Sequence, residues 1–147
     1  MNHIAIDLGS RESQVCVRGP SGNILHEQKM SNRDLLELFA CPSAVVSMET
    51  CAEAFAVADQ ARRKGHEVRV VPSTLVRSLG VGARRVKTDK RDAQALSEVS
   101  CRIDLPSVHV PSSWSREVKT LCGLRSALVS SRTPLSSQRQ CFASART

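Results

Sequence analysis

Four acidic residues stand where a divalent metal ion could be held: Asp7, Glu49, and the pair Asp89 and Asp92 within Lys87-Thr-Asp-Lys-Arg-Asp-Ala93. Asp7 follows the apolar run His3-Ile-Ala-Ile6, and Glu49 follows Ala44-Val-Val-Ser-Met48. Each would close a strand, where the sheet fixes a carboxylate in place. Asp89 and Asp92 lie three apart and share one face if the segment is helical. Converging carboxylates repel unless a cation sits between them, and an all-oxygen donor set suits Mg²⁺ or Mn²⁺. Two such ions about 3.5–4 Å apart could activate an attacking oxygen and stabilise the leaving oxygen of a phosphodiester. Asp7, first and central in such a sheet, is the candidate bridging ligand. Taken singly, each acid has a plainer reading. An aspartate after a strand is more often a cap or turn residue, and acids at the start of a helix are favoured by its dipole. Convergence of all four is what points to a metal site.

To position these acids, the chain must supply strands and a covering helix. Residues 3–8 read as a strand buried on both faces, and residues 14–18 as a half-buried one. Gly19-Pro-Ser-Gly22 is a turn signal, after which residues 23–28 return as a third, antiparallel strand. Ser31 or Asn32 is placed to cap a short helix over 33–40, which Pro42 ends. A fourth strand covers 44–48. An alanine-rich helix from about 51 to 64 stops at Gly65, and a fifth strand covers 67–71. Strands four and five, joined by a helix, form a right-handed crossover and hence a parallel pair. The expected fold class is therefore α/β, a mixed five-stranded sheet flanked by helices.

Further along, residues 72–79 suit a short helix, and Gly80-Val-Gly82 a flexible connection. Thr88 is placed to cap the helix carrying Asp89 and Asp92. Ser112 or Ser113 caps a longer helix with Val118, Leu121, Cys122, Leu124, Leu128 and Val129 on one stripe. From Pro134 the pattern loses periodicity and reads as an irregular tail. The domain boundaries expected are 1–105 for the acid-bearing domain, 106–133 for a helical extension and 134–147 for the tail.

Composition narrows the partners. The net charge of +7 over 147 residues favours nucleic acid or another anionic surface. Clustering matters more than the total. Arg77, Arg84, Arg85, Lys87, Lys90 and Arg91 fall in one segment, although a basic run is often only a solvated face. Aromatics are 3%, which leaves the core to Val, Leu, Ile and Ala. The six cysteines form no C-x-x-C pair and the four histidines no H-E-x-x-H, so a zinc site is not expected. No apolar stretch approaches the roughly 18–20 residues of a membrane span. No export signal is visible, so a cytoplasmic protein with reduced thiols is expected.

One competing reading begins at Asp7-Leu-Gly-Ser10. It resembles the first phosphate loop of actin-like kinases and ATPases, but their second, Asp-Gly-Gly type loop is missing. A closer resemblance runs through Ile4-Ala-Ile-Asp-Leu-Gly9, Val46-Ser-Met-Glu-Thr-Cys51, Val68-Arg-Val-Val-Pro72 and Lys87-Thr-Asp-Lys-Arg-Asp-Ala93. Together these resemble the N-terminal domain of the DEDD transposases of insertion-sequence family one-ten, related to the Piv DNA invertases. The resemblance covers most of residues 3–133. It implies a ribonuclease-H-like fold, as in Holliday-junction (RuvC-like) resolvases. It also implies a Mg²⁺-dependent tetrad of Asp7, Glu49, Asp89 and Asp92 acting on DNA, with the basic segment 77–91 tracking nucleic-acid backbone. A structured guide RNA and a homo-oligomeric full-length form are further implications. Members of that family continue into a second domain that supplies a nucleophilic serine. This sequence ends at Thr147, so the expectation is a truncated chain bearing half of a composite active site. The alternatives are a catalytically inactive nucleic-acid-binding module and a residual structure-selective nuclease.

Overall fold

The computed structural model describes residues 1–78 and 89–144, with side chains described except at Asp89 and from residue 133 onward. Five strands and five helices are found among them: β1 (Asn2–Leu8), β2 (Glu12–Arg18), β3 (Ile24–Ser31), α1 (Leu35–Leu38), β4 (Ala44–Glu49), α2 (Ala54–Arg63), β5 (Glu67–Val71), α3 (Ser73–Ser78), α4 (Asp89–Arg102) and α5 (Ser113–Ser144). The sheet order is β3-β2-β1-β4-β5. β1 pairs antiparallel with β2 and parallel with β4. β2–β3 is antiparallel and β4–β5 parallel. This is the mixed five-stranded sheet flanked by helices that the element order predicts, with β1 at its centre.

The two faces of the sheet differ in chemistry because every strand alternates. One face carries Ile4, Ile6, Val15, Val46, Met48 and Val70, all buried in a single apolar core. α2 packs on this core through Ala54, Val57, Ala58 and Ala61, a spacing that puts four small apolar residues on one helical face. The helix ends in a Schellman motif. Gly65 has φ +85°, its N–H donates to the Arg62 carbonyl at 3.0 Å, and the His66 N–H donates to the Ala61 carbonyl at 3.2 Å. His66 is then buried: its Nδ1 accepts from the Ala44 N–H at 3.1 Å, and Nε2 lies 3.0 Å from the Phe39 carbonyl. An acceptor at Nδ1 fixes the tautomer, so Nε2 carries the proton and donates.

The opposite face mixes polar groups with a smaller apolar cluster of Ala5, Val71, Val76, Leu96 and Leu105. Register sets His3, Ala5 and Asp7 of β1 beside Arg18, Cys16 and Gln14 of β2, and His3 and Ala5 beside Val45 and Ser47 of β4. α4 covers this face, packing on β1, β2 and β4. That cover corrects one expectation. β2 is not half-buried: Ser13, Gln14, Val15 and Cys16 are all buried, because α4 closes the side that a two-layer sheet would leave open to water.

Other boundaries shift for local reasons. Asn32 does not cap α1, since its side chain donates to the Gly9 carbonyl and accepts from Ser13 Oγ. Asp34 stands at the N-cap position without a side-chain cap bond, and the Ser31 hydroxyl accepts from the Asp34 N–H. The expected Thr88 cap and the Gly80–Gly82 connection lie outside the described residues. Between the two candidates for α5, Ser112 is the cap, its Oγ accepting from the Ser115 N–H at 3.1 Å.

The chain divides into two compact units, Met1–Val110 and Pro111–Thr147. The first runs past the expected boundary at 105 because its last segment completes the sheet edge. Val108 N–H donates to the Val70 carbonyl, Ser107 Oγ accepts from the Val70 N–H, and Val110 is buried. In the second unit α5 stays helical to Ser144, where the sequence pattern predicts an irregular tail from 134. Pro134 removes one backbone donor, but Leu135, Gln138, Arg139 and Ala143 are good helix formers, and a long helix tolerates such a break. Among the described residues no helix is long and apolar enough to cross a membrane.

Candidate metal and nucleic-acid site

Asp7 and Glu49 end neighbouring parallel strands. The last paired residues between β1 and β4 are Ile6 and Met48, so the two carboxylates stand one step beyond them, side by side. Both are half-buried. Alternation from Ala5 and Ser47 turns them toward the face that α4 covers. On β2 the register partner of Asp7 is Gln14, 8% exposed, which keeps the floor of this region polar.

α4 runs antiparallel to β1, and its contacts step down the strand in order. Ser100 Oγ lies 3.0 Å from His3 Nδ1 and 3.0 Å from Ser47 Oγ. One turn earlier, Leu96 shares an apolar cluster with Ala5, Val71 and Val76. Another turn earlier comes Asp92, 9% exposed. A helical turn advances about 5.4 Å and two strand residues about 6.6 Å. From Ser100 near His3 to Leu96 near Ala5, α4 thus runs toward the Asp7 end of β1, with Asp92 one turn further on. Asp89 opens the same helix, and its side chain lies outside the described residues. Among the described residues, no three His, Cys, Asp or Glu side chains are close enough together to hold a metal ion. The donor chemistry itself, carboxylate oxygen throughout, suits a hard divalent cation.

The basic residues divide into three groups. Arg77, at the end of α3, and Arg91, on α4, are exposed. Lys90 is also exposed but forms an ion pair with Glu27 of β3 at 2.7 Å, so part of its charge is committed within the fold. Arg84, Arg85 and Lys87 lie outside the described residues. The loop after β1 has a steric requirement: a Cβ at Gly9 would stand within 2.4 Å of the Glu12 carbonyl oxygen. Gly9 is thereby fixed by the tight turn into β2.

The focus on acids missed the polar groups bonded beneath α4: His3, Arg18, Ser47, Ser97 and Ser100. The available signal was the even spacing that puts His3 and Asp7, Gln14 and Arg18, and Ser47 and Glu49 on one face of their strands.

The fold defines the class, a mixed five-stranded α/β domain with two acids ending neighbouring strands and a third on the covering helix. Comparison with known proteins supplies the family. The family model described as "Transposase", that of the IS110 DEDD transposases, matches residues 4–142, and the chain belongs to that family. It is 30% identical over 143 residues to the transposase for insertion sequence element IS1328 of Yersinia enterocolitica, a match covering 95% of this chain and 41% of that protein. It is 28% identical over 136 residues to a Pseudomonas aeruginosa protein described as "Probable family 20 transposase", covering 92% of this chain and 39% of that one. The chain thus spans about two-fifths of the length of these curated relatives. Among solved structures, T. thermophilus RuvC in complex with a Holliday junction substrate is similar at 14% identity and a TM-score of 0.45, over 67% of this chain and 90% of that one.

Proposed function

We propose that this chain is the metal-binding domain of a transposase that cleaves and transfers DNA strands during insertion-element transposition. The observation that carries the reading is the placement of Asp7 and Glu49 on adjacent parallel strand ends, on the face where α4 carries the buried Asp92. Asp7, Glu49, Asp92 and Asp89 would hold Mg²⁺ or Mn²⁺. When bound, such an ion supplies Lewis-acid stabilisation of phosphodiester oxygens and lowers the pKa of an attacking hydroxyl. The rest falls to the chain itself. The sheet holds two carboxylates rigid, α4 brings the third, and Arg77 and Arg91 contribute positive charge for the nucleic-acid backbone. In this reading the full-length protein supplies the nucleophilic serine from a second domain, uses a structured guide RNA and assembles as a homo-oligomer. Family membership replaces the actin-like alternative.

The test is cleavage of branched DNA with Mn²⁺, run beside Asp7→Asn and Glu49→Gln. Strand breaks that both substitutions abolish support the reading. Equal cleavage by parent and variants contradicts it. A second reading, a nucleic-acid-binding module without catalysis, is favoured by one observation: no three metal-ligating side chains are grouped among the described residues. It predicts salt-dependent DNA or RNA binding that survives loss of all four carboxylates.

A further inference from the structure

α4 is seated on the sheet both by apolar burial of Ala93 and Leu96 and by directed polar contacts, whereas α2 rests on alanine and valine. Arg18, at the end of β2, is central to that seat. Its Nε donates to Ser97 Oγ at 2.8 Å and its Nη1 to the Gly22 carbonyl at 2.7 Å, while Nη2 lies 3.5 Å from the Gln94 carbonyl. Ser97 Oγ in turn donates to the Gln94 carbonyl at 2.7 Å and sits 3.2 Å from Cys16 Sγ. One guanidinium therefore ties the β2–β3 turn, where Gly22 has φ +82°, to the middle of α4. One turn further on, Ser100 is held between His3 and Ser47.

Apolar contacts alone would leave a helix free to slide or turn by a fraction of a residue, because dispersion and burial are nondirectional. Hydrogen bonds to a planar, multi-donor guanidinium are directional and fix both axial position and rotation. Asp92 lies on the turn that precedes Ser97, so an error in either coordinate is carried directly to its carboxylate.

We propose that Arg18, through Ser97, is a positioning residue that sets the height and rotation of α4 and so the position of Asp92 relative to Asp7 and Glu49. Arg18 touches neither metal nor substrate in this scheme. The inference rests on the proposed metal site, and its test keeps the two separable. Thermal unfolding is measured with and without Mn²⁺, and the apparent Mn²⁺ affinity is read from the melting-temperature shift, for the parent chain, Arg18→Met, Arg18→Lys, Ser97→Ala and Arg69→Gln. Arg69 is the control, a half-buried arginine that bonds the Leu105 carbonyl and pairs with Glu67 and Asp104 away from the acids.

The expected result is a Mn²⁺ affinity weakened roughly 10-fold or more in Arg18→Met and Ser97→Ala, the range for residues that support metal ligands. Arg18→Lys should not restore it, since a lysine keeps the charge but not the fork. Arg69→Gln should melt earlier without Mn²⁺ yet keep the parent affinity. If Arg18→Met proves too unstable, Ser97→Ala removes the same bond with a smaller change. A parent that responds to Mn²⁺, with Ser97→Ala and Arg18→Lys responding equally, overturns the positioning role and leaves the metal site standing. A parent that does not respond overturns the metal site itself, and the positioning role with it.

Discussion

His66 is a structural residue whose two nitrogens join separate parts of the chain, Ala44 at the start of β4 and Phe39 after α1. Its ring also lies against Phe39, with centroids 5.6 Å apart. His66→Ala should lower stability by about 2 kcal/mol, since it removes two buried hydrogen bonds and opens a cavity. A denaturation midpoint unchanged from the parent would contradict that role. His3 behaves differently. Burial, followed by the nearby N-terminal charge, pushes its imidazole below the ordinary 6.5, with Glu67 opposing. The unfolded chain therefore takes up this proton first as pH falls. The contribution of His3 is complete above pH 6.5 and is lost as pH drops through the lower folded value. His3→Asn should flatten the fall in melting temperature between about pH 7.5 and about pH 5. Identical slopes in parent and variant would show that His3 does not carry the effect. At this scale the strand-end positions of Asp7 and Glu49 were legible because each follows an apolar run. The histidines were not, because a lone histidine shows no partner in sequence.

Among the elements, β1, β4 and β5 were readable from unbroken apolar runs, and the end of α2 from Gly65. That glycine makes a sharp prediction. Its φ is +85°, and a Cβ added there would meet open space, so Gly65→Ala meets only conformational strain. The cost should be about 1 kcal/mol, seen as a lower melting temperature with unchanged secondary structure. A variant as stable as the parent would mean that the Schellman turn rearranges freely. The half-buried assignment of β2 failed because strand alternation reports what a sheet offers and not what covers it. α4 comes from far along the chain, and its expected place across the acid-bearing strand ends did not extend to β2, which it also covers. Ser97 and Ser100 are buried by partners, Arg18 and His3, that are remote in sequence.

Taken as a whole, the molecule is one acid-bearing α/β unit to Val110, followed by a unit built on α5. The boundary was not visible from Pro106 because the stabilising contacts of Ser107 and Val108 are bonds to the Val70 main chain, which composition does not encode. A chain ended at Val110 should unfold cooperatively, whereas one ended at Leu105 should melt earlier. Equal melting of the two would show that the segment adds nothing. Lys90 is paired with Glu27, so the net positive charge overstates what is available. In the proposed function Asp7 and Asp92 belong to one cation site. Its most direct measurement is the thermal shift produced by saturating Mn²⁺ in the parent, Asp7→Asn and Asp92→Asn. The parent should be stabilised by about 2.7 kcal/mol at ~100 times Kd, and either variant little or not at all. An equal shift in all three would contradict it.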